Sequence, residues 1–167
     1  MKRLLTTGVL ALCLLTSQFA RAAEDQQAKT KAAMVAKYQL IQEAFENANS
    51  EDFEKELTAD FKAKTLDKRI INRGQFMAFQ RMFLDAVTKV HQVTFRINKV
   101  TVTPNRAVVV VTQFYDFDVK DRHGRVHRFK NSSVSRDTWV QISGQWKNNF
   151  TETIKSTTTV DGKKVKP

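Results

Sequence analysis

The fold is decided by residues 105–153, which read NRAVVVVTQFYDFDVK (105–120), GRVHRFKNSSVSRDTWVQIS (124–143) and GQWKNNFTET (144–153). Val, Phe, Tyr, Trp and Thr dominate all three stretches. Such side chains suit a pleated, half-buried surface, so the block reads as three successive strands. The connections are short: Lys120–Gly124 (KDRHG) and Ser143-Gly144 read as hairpin turns, with glycine where a positive φ is needed. Antiparallel pairing follows. Neither turn cradles a phosphate, because a lone glycine in a tight turn lacks the strand-loop-helix context.

The strand at 107–118 is apolar on both faces. Val108, Val110, Thr112 and Phe114 point one way, and Val109, Val111, Tyr115 and Phe117 the other. A central strand with helices on one face and another chain on the opposite face has this pattern. A homodimer through the outer face of the sheet is therefore expected. The alternative is a sheet curled enough to shelter both faces within one chain.

Upstream, QVTFRINKVTVT (92–103) adds a strand, turned into the block by Pro104-Asn105. Before it, Phe76, Phe79, Phe83, Ala86 and Val90 recur at steps of three and four, predicting a helix over 74–90. Residues 61–73 are ambiguous, an irregular connection with a short strand at 69–72. Met34, Tyr38, Ile41 and Phe45 make one apolar stripe on a helix over 31–49. Ser50 reads as the N-cap of a shorter helix ending near Ala59, with Glu51, Asp52 and Glu54 in its positive first turn. Residues 24–30 read as a flexible leader, 31–157 as one domain and 158–167 as a basic, solvated tail.

Residues 1–23 have the form of a cleavable secretory signal: Lys2 and Arg3, an apolar run from Leu4 to Leu15, and Ala20-Arg21-Ala22 before the cut. The run is shorter than the ~20 residues that span a bilayer, so no stable membrane insertion is expected after cleavage. A periplasmic or secreted location is expected. Cys13 is the only cysteine, and cleavage leaves none, which excludes disulfides, thiolate nucleophiles and cysteine-ligated metals. The chain has 167 residues and a net charge of +11; removal of Lys2, Arg3 and Arg21 leaves +8. The bases are scattered and form no interaction arm, so nucleic acid is not an expected partner.

The order of elements, three helices and then a long antiparallel sheet, resembles the nuclear transport factor 2-like, or SnoaL-like, superfamily. The resemblance is carried by IQEAFENANSEDFEKELTADF (41–61), the Arg73-Gly74 entry to the third helix and DTWVQISGQW (137–146). It implies an α+β, cystatin-like cone: three N-terminal helices packed on a strongly curved sheet of about four to five strands, with an internal pocket. Some members resembling ketosteroid isomerase work there with two carboxylates. That likeness points to Asp67 as a general base and Asp137 as an oxyanion-stabilising acid, whose pKa values an apolar pocket would raise. The pattern departs at the phenol, whose position matches Ala44 here, with Tyr38 more than a turn away.

The expected pocket lining is Tyr38, Phe79, Phe83, Tyr115, Trp139 and Phe150. A pocket filled by Phe76, Phe79, Phe83 and the tryptophans would instead mark a pure interaction module. His123 and His127 are four apart across a turn, which is no zinc site, and the serines at 132, 133 and 135 lie in no nucleophile elbow. Asp116 and Asp118 share a strand face; with Asp137 they form either an acidic cluster or, the reading preferred, pairs with Arg125, Arg128, Arg136 or nearby lysines. No metal and no cofactor is expected. The function expected is non-catalytic binding of a small apolar or amphipathic ligand or of a partner protein. The alternative is a cofactor-free isomerase, dehydratase or hydrolase using the pocket carboxylates.

Overall fold

The computed structural model describes residues 7–165, with side chains from residue 24 onward. The signal read over 1–23 thus falls outside the residues whose side chains are described; the backbone of 7–23 is helical. The elements are α1 (Thr7–Glu46), α2 (Ser50–Lys55), β1 (Leu57–Lys64), β2 (Ile70–Asn72), α3 (Arg73–Asp85), β3 (Val87–Thr103), β4 (Arg106–Lys120), β5 (Val126–Ile142), β6 (Gln145–Val160) and β7 (Lys163–Val165). The expected α+β arrangement is present, with the helices on one face of a curled, unclosed sheet.

The expected leader is helical and continues into the body of α1. Apart from Asp25, residues 24–29 are Glu, Gln, Ala and Lys, all good helix formers, and the Thr30 hydroxyl donates to the Gln26 carbonyl at 3.0 Å. Met34, Tyr38, Ile41, Ala44 and Phe45 are the buried stripe of this helix. Ala48, at φ 49°, turns the chain, and Asn49 rather than Ser50 caps α2, its side chain accepting from the Glu51 and Asp52 N–H groups. The second helix stops at Lys55, short of Ala59, because Phe61 and Ala63 alternate into the core while Lys62 does not.

Asn72 and Gln75 form a capping box at the start of α3. This helix ends at Asp85, five residues early, where Val87, Thr88 and Val90 favour strand and lengthen β3 to 17 residues. Its buried side is also rotated from the expected stripe. Met77 and Leu84 are enclosed, whereas Phe79 and Met82 are 58% and 65% exposed.

The sheet has seven strands in the order β2-β1-β6-β5-β4-β3, with β7 added to β6. Two readings account for the shortfall in the expected count. Residues 57–64 form β1, where the end of a helix and an irregular connection were expected, and the supposed tail is paired: β6 runs to Val160, and β7 pairs with it across an Asp161-Gly162 turn in positive φ. All pairings are antiparallel except β1 with β6, which is parallel. Register shifts on β3 and on both sides of Ser135–Thr138 in the β5–β6 pair bend the sheet around α1 and α3.

The inner face carries Val93, Phe95, Ile97, Ala107, Val109, Val111, Phe117, Trp139 and Trp146. On the outer face, Asp116 pairs with Arg128 and with Lys130 at 3.3 Å, and Asp118 pairs with His91 at 2.9 Å. His127 lies between Asp161 (2.7 Å) and Asp121 (3.3 Å), which raise its pKa and pin the β6–β7 turn. Among the described residues no group of His, Cys, Asp and Glu is placed to hold a metal ion.

Phe61 joins β1 to α3, being 1% exposed with its ring 5.0 Å from that of Phe76. Phe61→Ala should cost about 3–5 kcal/mol in urea unfolding, with an unchanged denaturant slope.

Candidate functional site

A buried tyrosine and a buried aspartate meet at the centre of the cone. Tyr38 lies on the inward stripe of α1. Asp137 occupies an inward position of β5, two residues from Ser135 and two from Trp139. The Tyr38 hydroxyl donates to Asp137 Oδ2 at 2.5 Å, and the Trp139 ring N–H donates to the same phenol oxygen at 3.3 Å. Trp139 is fully buried behind the pair, its ring edge-on to Tyr38 with centroids 5.7 Å apart.

Around this pair is a cavity of about 140 Å³. Phe45, Phe53, Phe76, Phe95 and Tyr115 give it aromatic walls. Gln80, Gln113, Ser133, Ser135, Asn148, Thr151 and Thr153 add polar atoms. Most of the polar groups are spoken for: the Tyr115 hydroxyl donates to Gln113 Oε1 at 2.9 Å, Gln113 Nε2 to Ser135 Oγ at 2.9 Å, and Asn148 Nδ2 to Thr151 Oγ1 at 3.2 Å. Asp137 Oδ1 has no hydrogen-bond partner although the residue is only 3% exposed.

Burial pushes the Asp137 carboxyl up to about 6, against the lowering effect of Tyr38 and, more weakly, of the nearby Ser135 and Thr151 hydroxyls, which close no aligned bond to Oδ1. Burial and then the Asp137 charge drive the Tyr38 phenol far above its ordinary value, so it remains a proton donor. Burial does the same to Tyr115. A larger hollow of about 320 Å³ lies between α1 and α2, lined by Glu43, Asp52, Lys55 and Glu56. Apart from Glu43, its charges pair, Lys55 with Asp52 and Glu56 with Lys37, and it holds none of the aromatic lining.

Of the residues expected at the site, the fold brings together Tyr38, Tyr115 and Asp137, with Trp139 directly behind them. The others go elsewhere. Asp67 sits in the exposed turn before β2, bonded to Thr65 and to Arg69 at 2.6 Å, contacts that hold its carboxyl below the usual range. Phe79 faces outward on α3. Phe83 packs on Phe117 and Phe129, at centroid distances of 5.7 and 4.9 Å, outside the cavity lining. Phe150 pairs with Thr138 on the outer face, whereas its neighbour Thr151 pairs with Asp137 on the inner one. Phe53, Phe95, Gln113 and Asn148 were not anticipated. For Gln113 a signal existed, since a polar residue stood at an inward position of an otherwise apolar strand.

The raised pKa of Asp137 has a definite consequence for stability. The native carboxyl binds its proton more tightly than the unfolded one, at about 6 against 3.8. Its contribution to stability is therefore best below 3.8 and falls, by on the order of 3 kcal/mol, as pH rises through 6. Asp137→Asn should remove that dependence and be the more stable protein above pH 6, measured as urea midpoints across a pH series.

No known family profile matches the chain, and no curated protein matches it in sequence. Solved structures do. A nuclear transport factor 2-like protein from Cytophaga hutchinsonii superposes with a TM-score of 0.59 at 14% identity, covering 74% of this chain and 95% of that one. A candidate dehydratase of the same family from Streptomyces avermitilis gives 0.61 at 13% identity, over 75% and 95%. A domain with a cystatin-like fold from Nostoc punctiforme gives 0.56 at 14%, over 74% and 75%. At these identities the likeness carries the fold alone, and by it the chain takes its place among proteins of the nuclear transport factor 2-like, cystatin-like fold.

Proposed function

We propose that the protein is an exported, non-catalytic binder that holds a small amphipathic ligand, or the head of a larger one, in the cavity beside Asp137. The observation behind this reading is the unpartnered Oδ1 of a buried carboxylate in an aromatic-walled cavity. An orphaned buried acceptor costs about 1–3 kcal/mol or more, which a ligand donor would recover. The volume, about 140 Å³, lies below the ~300 Å³ of ordinary drug-sized sites, so the buried part of the ligand is small. The signal-like residues 1–23 support export.

Catalysis is the less supported reading. Acid-base chemistry on a bound substrate needs two convergent groups. Asp137 is here, but Asp67 is at the surface, the Tyr38 proton is committed to Asp137, and the Tyr115 proton is committed to Gln113. Likeness to a candidate dehydratase at 13% identity does not supply the missing group.

A second reading rests on the outer face. Val108, Val110, Phe114 and Phe150 are half-buried there, on the face opposite Val109, Val111 and Asp137. We propose that a second copy covers them. Lys99 and Arg136 flank Val110 in register, and Arg96 flanks Thr112, so like charges oppose the association.

Native mass spectrometry of protein purified from its own cells tests the ligand. An adduct lost on unfolding and absent from Asp137→Leu is expected; an adduct retained by that variant would count against the site. For the dimer, analytical ultracentrifugation should show association strengthened by salt and abolished in Val110→Lys, and a monomer at all salt concentrations would refute it.

A further inference from the structure

Resting on the ligand reading above, we propose that the group bound beside Asp137 is a small primary ammonium, so that the ligand is an amine. The cavity holds buried acceptors with nothing to fill them. Two of the buried acceptors among the described residues have no partner and belong to residues lining it: Asp137 Oδ1 and Asn148 Oδ1. The serine and threonine hydroxyls of the lining can donate as well as accept, but no wall group carries a positive charge. The N–H and O–H groups of Gln113, Asn148, Tyr38 and Tyr115 already donate within the wall.

A ligand group that fills both acceptors must therefore bring more than one hydrogen. An ammonium has three donors and a positive charge, whereas an alcohol has one donor and no charge, and a carboxylate or phosphate has acceptors only. Charge and wall chemistry point the same way. Asp137 supplies the one carboxylate of the lining, and no lysine or arginine is among the lining residues to neutralise it. Phe45, Phe95 and Tyr115 stand around the same space with ring centroids 5.0, 5.8 and 6.0 Å apart, offering the π surface that attracts an organic cation. Binding of the cation needs the carboxylate form, so affinity should weaken as pH falls through about 6.

The test uses three isosteric probes, n-butylammonium, n-butanol and butyrate, titrated into the mature protein at neutral pH by calorimetry and ligand-observed NMR. n-Butylammonium should bind, n-butanol should be about tenfold weaker or worse, and butyrate should show no binding. Asp137→Asn should lose about tenfold for n-butylammonium while leaving n-butanol little changed, and the wild-type affinity for n-butylammonium should fall on acidification. Equal binding of n-butanol and n-butylammonium would overturn the ammonium assignment while leaving the cavity a ligand site. Binding of none of the three would overturn both. The comparison of probes on the wild-type protein decides the matter even if the variant does not fold.

Discussion

The hydrogen bond from Tyr38 to Asp137 spans 99 positions of sequence and ties the first helix to the middle of the sheet. A carboxylate in that place is expensive, since burial disfavours its charge and nothing cationic stands beside it. Tyr38 offsets part of the cost, and Trp139 holds Tyr38 from behind. The bond fixes both the depth and the rotation of α1, and so determines that Ile41 and Phe45 face the cavity. Replacing the pair with a leucine would make a plainer core. That one oxygen of Asp137 is left without a partner is a local breach of packing logic, of the sort that marks a site shaped for something other than stability.

Periodicity made much of this architecture legible. The stripe Met34, Tyr38, Ile41 and Phe45 is buried as its spacing requires, and the strands at 105–153 pair as their composition indicates. Boundaries failed where two patterns overlapped. The step of three and four through Phe83, Ala86 and Val90 continued past the true end of α3, because β-branched residues there are shared with β3. Phe79 looked like core because a phenylalanine on a helical period usually is, yet the rotation of a helix about its axis is set by its neighbours. Strand β1 is short and hidden among lysines, and its partners are the three-residue β2 and, some ninety residues later, β6.

The site was legible at Asp137, Tyr38 and Tyr115 and illegible elsewhere for a related reason. Alternation says which face a strand residue takes, but a bulge changes the count. The irregularity between Thr138 and Trp139 lets Trp139 pair with Asn148 rather than with Asn149, which brings Asn148 inside with Thr151 and leaves Phe150 outside. Reading Asp67 as a partner acid required a spacing borrowed from a resemblance, and the local Thr65-Asp67-Arg69 turn takes that carboxylate for itself.

The parallel pairing of β1 with β6 bears on how the molecule comes into being. Residues 57–64 wait for residues 148–152 before they have a neighbour on that side, and closing so long a loop slows folding and places that contact late. Asn148, Thr151 and Thr153 all come from β6. A growing chain therefore has Tyr38, Tyr115 and even Asp137 in place before the last wall of their enclosure exists. Until the final hairpin docks, the carboxylate stands in water, fully ionised and open, and the interior that gives it unusual chemistry is the last thing the chain completes.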